Sequence, residues 1–158
     1  MTIVDEKICP CGSQKNYLDC CEPFIIGQQI CATPEQLMRS RYSAYTQVNL
    51  DYIKATMRGN ALLGFQEQNT LRWAKRVRWI GLKVISSVIS SGIVEFEAGY
   101  VDGTKLCYIH ERSEFVRTEG RWYYVGGQHF PTPQNKVISR TSDCPCGSMR
   151  KFKNCHGS

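Results

Sequence analysis

The chain writes one thirteen-residue segment twice: CPCGSQKNYLDCC from Cys9 and CPCGSMRKFKNCH from Cys144. The copies align without an insertion. Cys9/Cys144, Pro10/Pro145, Cys11/Cys146, Gly12/Gly147, Ser13/Ser148 and Cys20/Cys155 are identical. Lys15/Arg150 keep a cation, Tyr17/Phe152 keep a ring, and Cys21/His156 exchange one metal ligand for another. Each step of the pattern has a physical reading. Cys-Pro-Cys sets two thiolates on one bend, because proline fixes φ and removes a donor. Gly12 supplies the backbone freedom that a turn over an ion needs. Ser13 is expected to cap a short helix on which Tyr17, Cys20 and Cys21 share a face. Four ligands then converge, the number a closed tetrahedral site takes. So short a segment cannot bury enough apolar area to offset its ordering entropy, so bound metal must supply its folding free energy. Each copy therefore reads as a self-sufficient metal knot, and the chain carries two.

Two zinc ions are expected, one on Cys9, Cys11, Cys20 and Cys21, the other on Cys144, Cys146, Cys155 and His156. Disulfides and redox thiols are the competing readings for a chain with nine cysteines. Adjacent Cys20 and Cys21 could hardly bridge each other without strain, and a distant Cys-Cys pair suits thiol exchange poorly. The remaining Cys31 and Cys107 read as small buried hydrophobes. The start, MTIVDEKICP, is acidic and short of apolar residues, unlike a signal peptide. No apolar run is long enough for a membrane span. The expected compartment is the cytoplasm, where thiols stay reduced. The formal charge of +6 falls to +3 once seven thiolates and two divalent ions are counted. That excess does not argue for nucleic acid.

These ligands resemble the SEC-C motif, a zinc-binding module found at the end of many bacterial preprotein translocases and appended to other bacterial proteins. Its pattern, C-x-C-x8-C-(C/H), is matched by both copies. In the translocase it is associated with binding the chaperone SecB. The resemblance implies zinc and a protein partner, with chaperone, export or ribosome machinery as candidates.

Between the copies, helices come first. Thr33 is the expected N-cap of a helix opening at Pro34, with Gln36 completing a capping box. Met38, Tyr42 and Tyr45 form its apolar stripe. A second helix is expected over about Leu50 to Met57, and NALLGFQEQNT reads as loop or weak helix. LRWAKRVRW can form a helix with Trp73, Val77 and Ile80 on one side. Strands follow. IGLKVISSVI is β-rich, and IVEFEAGYV alternates with Val94, Phe96, Ala98 and Tyr100 on one face. Asp102–Gly103 and Glu119–Gly120 read as hairpin turns. The fold class is α+β, helices packed on a curved antiparallel sheet of about four strands. The phrases LMRSRYSAY, WIGLKVI, HERSEFV and GRWYYVGG resemble the YchJ-like family. That resemblance implies a nuclear-transport-factor-2-like cone flanked by SEC-C motifs. The expected division is 1–31 for the first zinc module, 32–136 for a cone that folds alone, and 137–158 for the second module.

On TKLCYIHERSEFVRT, Glu111 shares a face with Ile109 and Phe115, so the carboxylate points to the core and needs a partner. Arg41, on the first helix, is the expected partner, within ion-pair distance, with Arg39 on the same helix as the second choice. The pair reads either as a helix-to-sheet staple or as a pocket for an anionic small ligand. His110 falls on the outer face and His129 near a strand end. No Ser-His-Asp spacing, phosphate loop or paired-carboxylate metal motif appears, and the reading leans away from an enzyme. WAKRVRW sets Lys75, Arg76 and Arg78 between Trp73 and Trp79. Such interleaving can bind single strands, but it also describes a helix with rings inward and cations solvated. The basic tail from Lys136 to Lys153 suits an acidic partner surface. The functional expectation is a zinc-containing interaction or adaptor protein. A ligand-binding or enzymatic cone pocket is the alternative, and nucleic-acid binding a further one.

Overall fold

Helix α2, Pro34–Thr46, begins where the sequence marks it. In a computed structural model, which describes residues 7–133 and 136–158, the Thr33 hydroxyl accepts from the Gln36 amide at 3.1 Å. The Gln36 side chain accepts from the Ala32 amide at 2.7 Å, satisfying two donors that a helix start leaves open. The acidic stretch read for residues 1–6 lies outside the described residues. Leu37, Met38, Tyr42 and Ala44 bury one side of α2, and a side chain such as Leu37 or Met38 contributes about 1.5–3 kcal/mol when fully buried. Short helices α3 (Leu50–Ala55) and α4 (Gly59–Leu63) and the longer α5 (Glu67–Arg76) follow. A further single-turn helix, α1 (Glu22–Ile25), precedes α2.

The expected helix through LRWAKRVRW stops early. Val77 is extended and strand β1 runs Arg78–Val88. Two consequences follow. Trp79 turns inward to meet Trp73, their ring centroids 5.3 Å apart. Ile80 packs with the cluster around Val101 and Leu106 instead. A register shift between Trp79 and Gly81 marks the irregularity. The physical reason is composition: from Val77 onward the aromatic and β-branched residues favour a pleated, half-buried surface over a helix.

Strands β2 (Ile93–Asp102), β3 (Lys105–Thr118) and β4 (Arg121–Phe130) complete an antiparallel meander in the order β1-β2-β3-β4. A short β5 (Lys136–Val137) pairs with the start of β3. Glu119 and Gly120 both take positive φ, 52° and 81°, the pair of angles that a two-residue hairpin matched to strand twist requires. The sheet has two working faces. The inner one carries Val94, Phe96, Ala98 and Phe115 toward α2 and its neighbours. The outer one carries Val101 and Leu106, covered by Ile138 and Phe152. No helix among the described residues is long and apolar enough to cross a membrane.

Candidate functional site

The two cysteine segments share one backbone. Cys9 N donates to Lys15 O and Cys144 N to Arg150 O, both at 2.8 Å. Ile8 bridges Asn16 as Asp143 bridges Lys151. Each segment then makes one 3₁₀ turn, Tyr17–Asp19 and Phe152–Asn154. Gly12 and Gly147 take φ of 80° and 82°, and Gln14 and Met149 take 65° and 67°. The role expected for Ser13 changes. Asn16, not Ser13, caps the turn by accepting from the Leu18 amide. The Ser13 hydroxyl lies 3.1 Å from Cys20 Sγ, and Ser148 repeats the contact with Cys155 at 3.4 Å. The turn is also too short to carry Cys20 and Cys21, which follow it.

The ligand atoms of Cys9, Cys11, Cys20 and Cys21 all lie within 4.8 Å of one another, as do those of Cys144, Cys146, Cys155 and His156. All nine cysteines are free thiols. Cys11 and Cys20 sulfurs are 3.6 Å apart, and so are those of Cys146 and Cys155. A disulfide would bring them to about 2.05 Å. A tetrahedron with Zn–S bonds of about 2.3 Å has edges of about 3.8 Å. His156 presents Nδ1 at 3.2 Å from both Cys144 and Cys155 sulfurs, so Nδ1 is the nitrogen that would ligate a metal. Both groups thus fit a metal ion by donor type and by spacing. Without metal the protons are unevenly shared. Hydrogen bonds with Cys21 and Cys9 draw the Cys11 thiol far down, and hydrogen bonds with Cys11 and Cys9 push Cys21 up. A hydrogen bond from Ser148 is the largest cause lowering Cys155, to about 6.

Their surroundings differ. Cys9, Cys11 and Cys21 sit in one buried cluster with Tyr42 and Ala98, so the N-terminal segment is not a free-standing knot. Arg39 donates to the Cys11 carbonyl at 2.6 Å, Cys9 Sγ meets Ser43 Oγ at 3.5 Å, and Gln47 donates to the Tyr17 hydroxyl. The C-terminal segment lies on the outer face. Phe152 is 1% exposed there, while Cys146, Cys155 and His156 remain part-exposed. Arg150 donates to Cys155 Sγ at 3.5 Å, a cation offsetting thiolate charge. Lys15 makes no such contact among the described residues. Arg39, Ser43 and Gln47 were not singled out as supports of the first centre. All fall on α2 or just past its end, which the residue spacing alone could not bring to Cys9.

Arg41 and Glu111 are both 6% exposed and line one cavity, but they do not pair. Arg41 donates to Ile53 O at 2.8 Å and Thr56 Oγ1 at 2.6 Å. Its guanidinium lies 4.7 Å from the Tyr124 ring centroid. Glu111 Oε1 accepts from Ser113 and Tyr124 hydroxyls, each at 2.7 Å. Tyr124 is therefore the link between the charges, and it arrives from β4, too far along the chain for the pattern around Arg41 to suggest. Burial first, then the charge of Glu111, pushes the Tyr124 hydroxyl well above the ordinary phenol range. His129 Nε2 stands 3.3 Å from Glu111 Oε2, because the two residues are direct partners across β3 and β4. On the outer face His110 instead meets Glu95 at 2.8 Å. The rings of the WAKRVRW segment pack inward on Tyr45 and Tyr100. Arg76 pairs with Asp102, and Arg78 donates to the His156 carbonyl.

An α+β cone with a SEC-C motif at residues 140–158 and cysteine clusters suited to metal is the class of protein that this fold and site define. Residues 33–127 match the family described as YchJ, middle NTF2-like domain, and the chain belongs to the YchJ-like UPF0225 family. A UPF0225 protein of Serratia proteamaculans is 40% identical over 96% of this chain and 98% of its own length. One from Geobacter sulfurreducens is 37% identical over the same shares. Two solved structures are similar. A SEC-C motif containing protein from Rhodopseudomonas palustris has a TM-score of 0.72 and 37% identity, covering 79% of this chain and all of that one. Another from Psychrobacter arcticus has a TM-score of 0.65 and 28% identity, covering 96% of each.

Proposed function

We propose that the protein is a zinc-binding interaction protein of the cytoplasm, carrying two SEC-C-type modules at residues 1–31 and 137–158 around a cone at 32–136. The observation that carries the reading is the pair of four-ligand groups with one backbone and tetrahedron-like spacings. Two zinc ions would be held by the ligands named above. Their chemistry is closed and structural: four protein ligands leave no position for substrate. Adaptor function is supported by what the second module presents. Met149 is 90% exposed and is followed by Arg150, Lys151 and Lys153. An apolar tip in a basic collar suits an acidic protein surface, and chaperone, export or ribosome machinery are the candidate partners by family analogy.

Two measurements test this. Metal content of full-length protein, purified reduced and without chelator, should approach two zinc per chain. A reproducible value near zero, with the thiols free and the ends ordered, removes the zinc reading. A tagged chain should then retain its partner from native lysate in a salt-sensitive manner, and Met149→Asp should release it while metal content holds. Unchanged retention by Met149→Asp excludes this surface.

A further inference from the structure

The inner face of the sheet and α2 enclose a cavity of about 280 Å³, room for roughly nine waters. One wall is aromatic. Tyr42, Tyr45, Trp73 and Trp79 meet at centroid distances of 5.3–6.2 Å, so the rings brace one another in fixed positions. The lining also carries Glu111, and its carboxylate is held in one orientation. Both hydroxyl donors, Ser113 and Tyr124, fall on Oε1. Oε2 has His129 at 3.3 Å, on a side chain that is 67% exposed. A β-carbon on Gly127 would lie 2.4 Å from Oε1, so the carboxylate occupies space that only glycine at this position leaves free.

We propose that this cavity binds a small uncharged ligand with an aromatic body and a hydroxyl or N–H donor directed at Glu111 Oε2, beside His129. The chemistry of the walls selects the class. A carboxylate only accepts, so the ligand must donate. An anion would approach Glu111 against its charge, while Arg41 is turned to Ile53, Thr56 and Tyr124. A cation would meet the buried Arg41 guanidinium, which no carboxylate among the described residues contacts directly. A neutral donor avoids both penalties, and its ring gains edge or face contacts with Trp73 and Trp79. This inference is independent of the metal centres and of any protein partner.

Four probes of similar size separate the classes: 4-fluorophenol, 4-fluoroanisole, 4-fluorobenzoate and 4-fluorobenzylammonium. Each is titrated with the full-length, metal-loaded chain and followed by ¹⁹F line broadening and tryptophan emission. The phenol should bind at least about tenfold more tightly than the other three, the scale of a hydrogen bond to a buried charged acceptor. Its ring protons should show NOEs to Met38 and Ile109. Glu111→Gln puts an amide donor near the Oε2 position and should reverse the order of phenol and anisole. Equal binding of phenol and anisole, preference for either charged probe, missing NOEs, or no binding at millimolar concentration each overturns the proposal. The ranking on the unaltered chain decides it even if Glu111→Gln does not fold.

Discussion

Gly12 and Gly147 hold the same left-handed conformation in the two copies, yet their surroundings differ. A β-carbon on Gly12 would lie 2.6 Å from the Leu82 carbonyl of β1, whereas one on Gly147 would meet nothing within 4 Å. Alanine at either site carries the left-handed penalty of about 1–2 kcal/mol. At Gly12 it also forces backbone against backbone, adding roughly 1–3 kcal/mol. We expect Gly12→Ala to lower the denaturant midpoint well beyond Gly147→Ala, and equal shifts would refute the close docking of the first copy on β1. Tyr124 gives a second contrast. Tyr124→Phe removes a donor to a buried carboxylate and should cost about 1.5–3 kcal/mol. Tyr123→Phe should be near neutral, since that hydroxyl makes no hydrogen bond among the described residues and its ring carries Arg58 at 4.1 Å. Matching losses in urea unfolding would mean that the Glu111 contact contributes nothing. Sequence reasoning reached Glu111 because strand alternation reports which face a residue takes. It missed Tyr124 and His129 as its partners, since those follow from the β3–β4 register and from a shift between Glu114 and Phe115.

At the scale of elements, the two four-residue clusters suited to a metal and the helix start at Thr33 were legible because each is a local signal: spacing, a cap, a turn. The Glu119–Gly120 turn was legible for the same reason, whereas the first hairpin turns one residue later than read, at Gly103–Thr104, with Asp102 paired to Lys105. Where α5 gives way to β1 was not, since one apolar pattern served both a helix face and a strand until Val77 turned extended. Nor did spacing reveal that the repeats dock differently. The first shares its core with Tyr42 and Ala98 on the inner face, and the second packs Phe152 on the outer face. The expectation that 32–136 folds alone meets that shared core, and we expect the opposite outcome for the N-terminal cut. Cys11→Ser, at a site with no exposure, should lower the melting temperature of the whole chain. Cys146→Ser, part-exposed, should shift it less while also losing one metal. A circular dichroism melt of each variant checks the order. A larger shift for Cys146→Ser would show that the second module is the staple.

Over the whole molecule, the sheet separates the two proposed zinc ions, one against its helix-covered face and one against its back. Release of each ion requires its ligands to be reached and protonated, so acid and chelators both promote it. The ligands differ in access: three of four in the first group are buried, against one of four in the second. Opening the first group means parting Cys9, Cys11 and Cys21 from Tyr42 and Ala98, which is part of unfolding the cone. Opening the second requires that residues past Ile138 lift from Val101, Leu106 and Ile80 and that Arg78 release the His156 carbonyl. We therefore expect a chromogenic chelator to withdraw zinc in two phases of one equivalent each. The fast phase should leave the far-ultraviolet dichroism of the sheet nearly unchanged, and the slow phase should coincide with its loss. His156→Cys should retain the fast equivalent, because it recreates the ligand set of the first group, and His156→Ala should accelerate its release without touching the slow one. A single phase of two equivalents, or loss of the sheet signal in the fast phase, would show that the two ends stand or fall together.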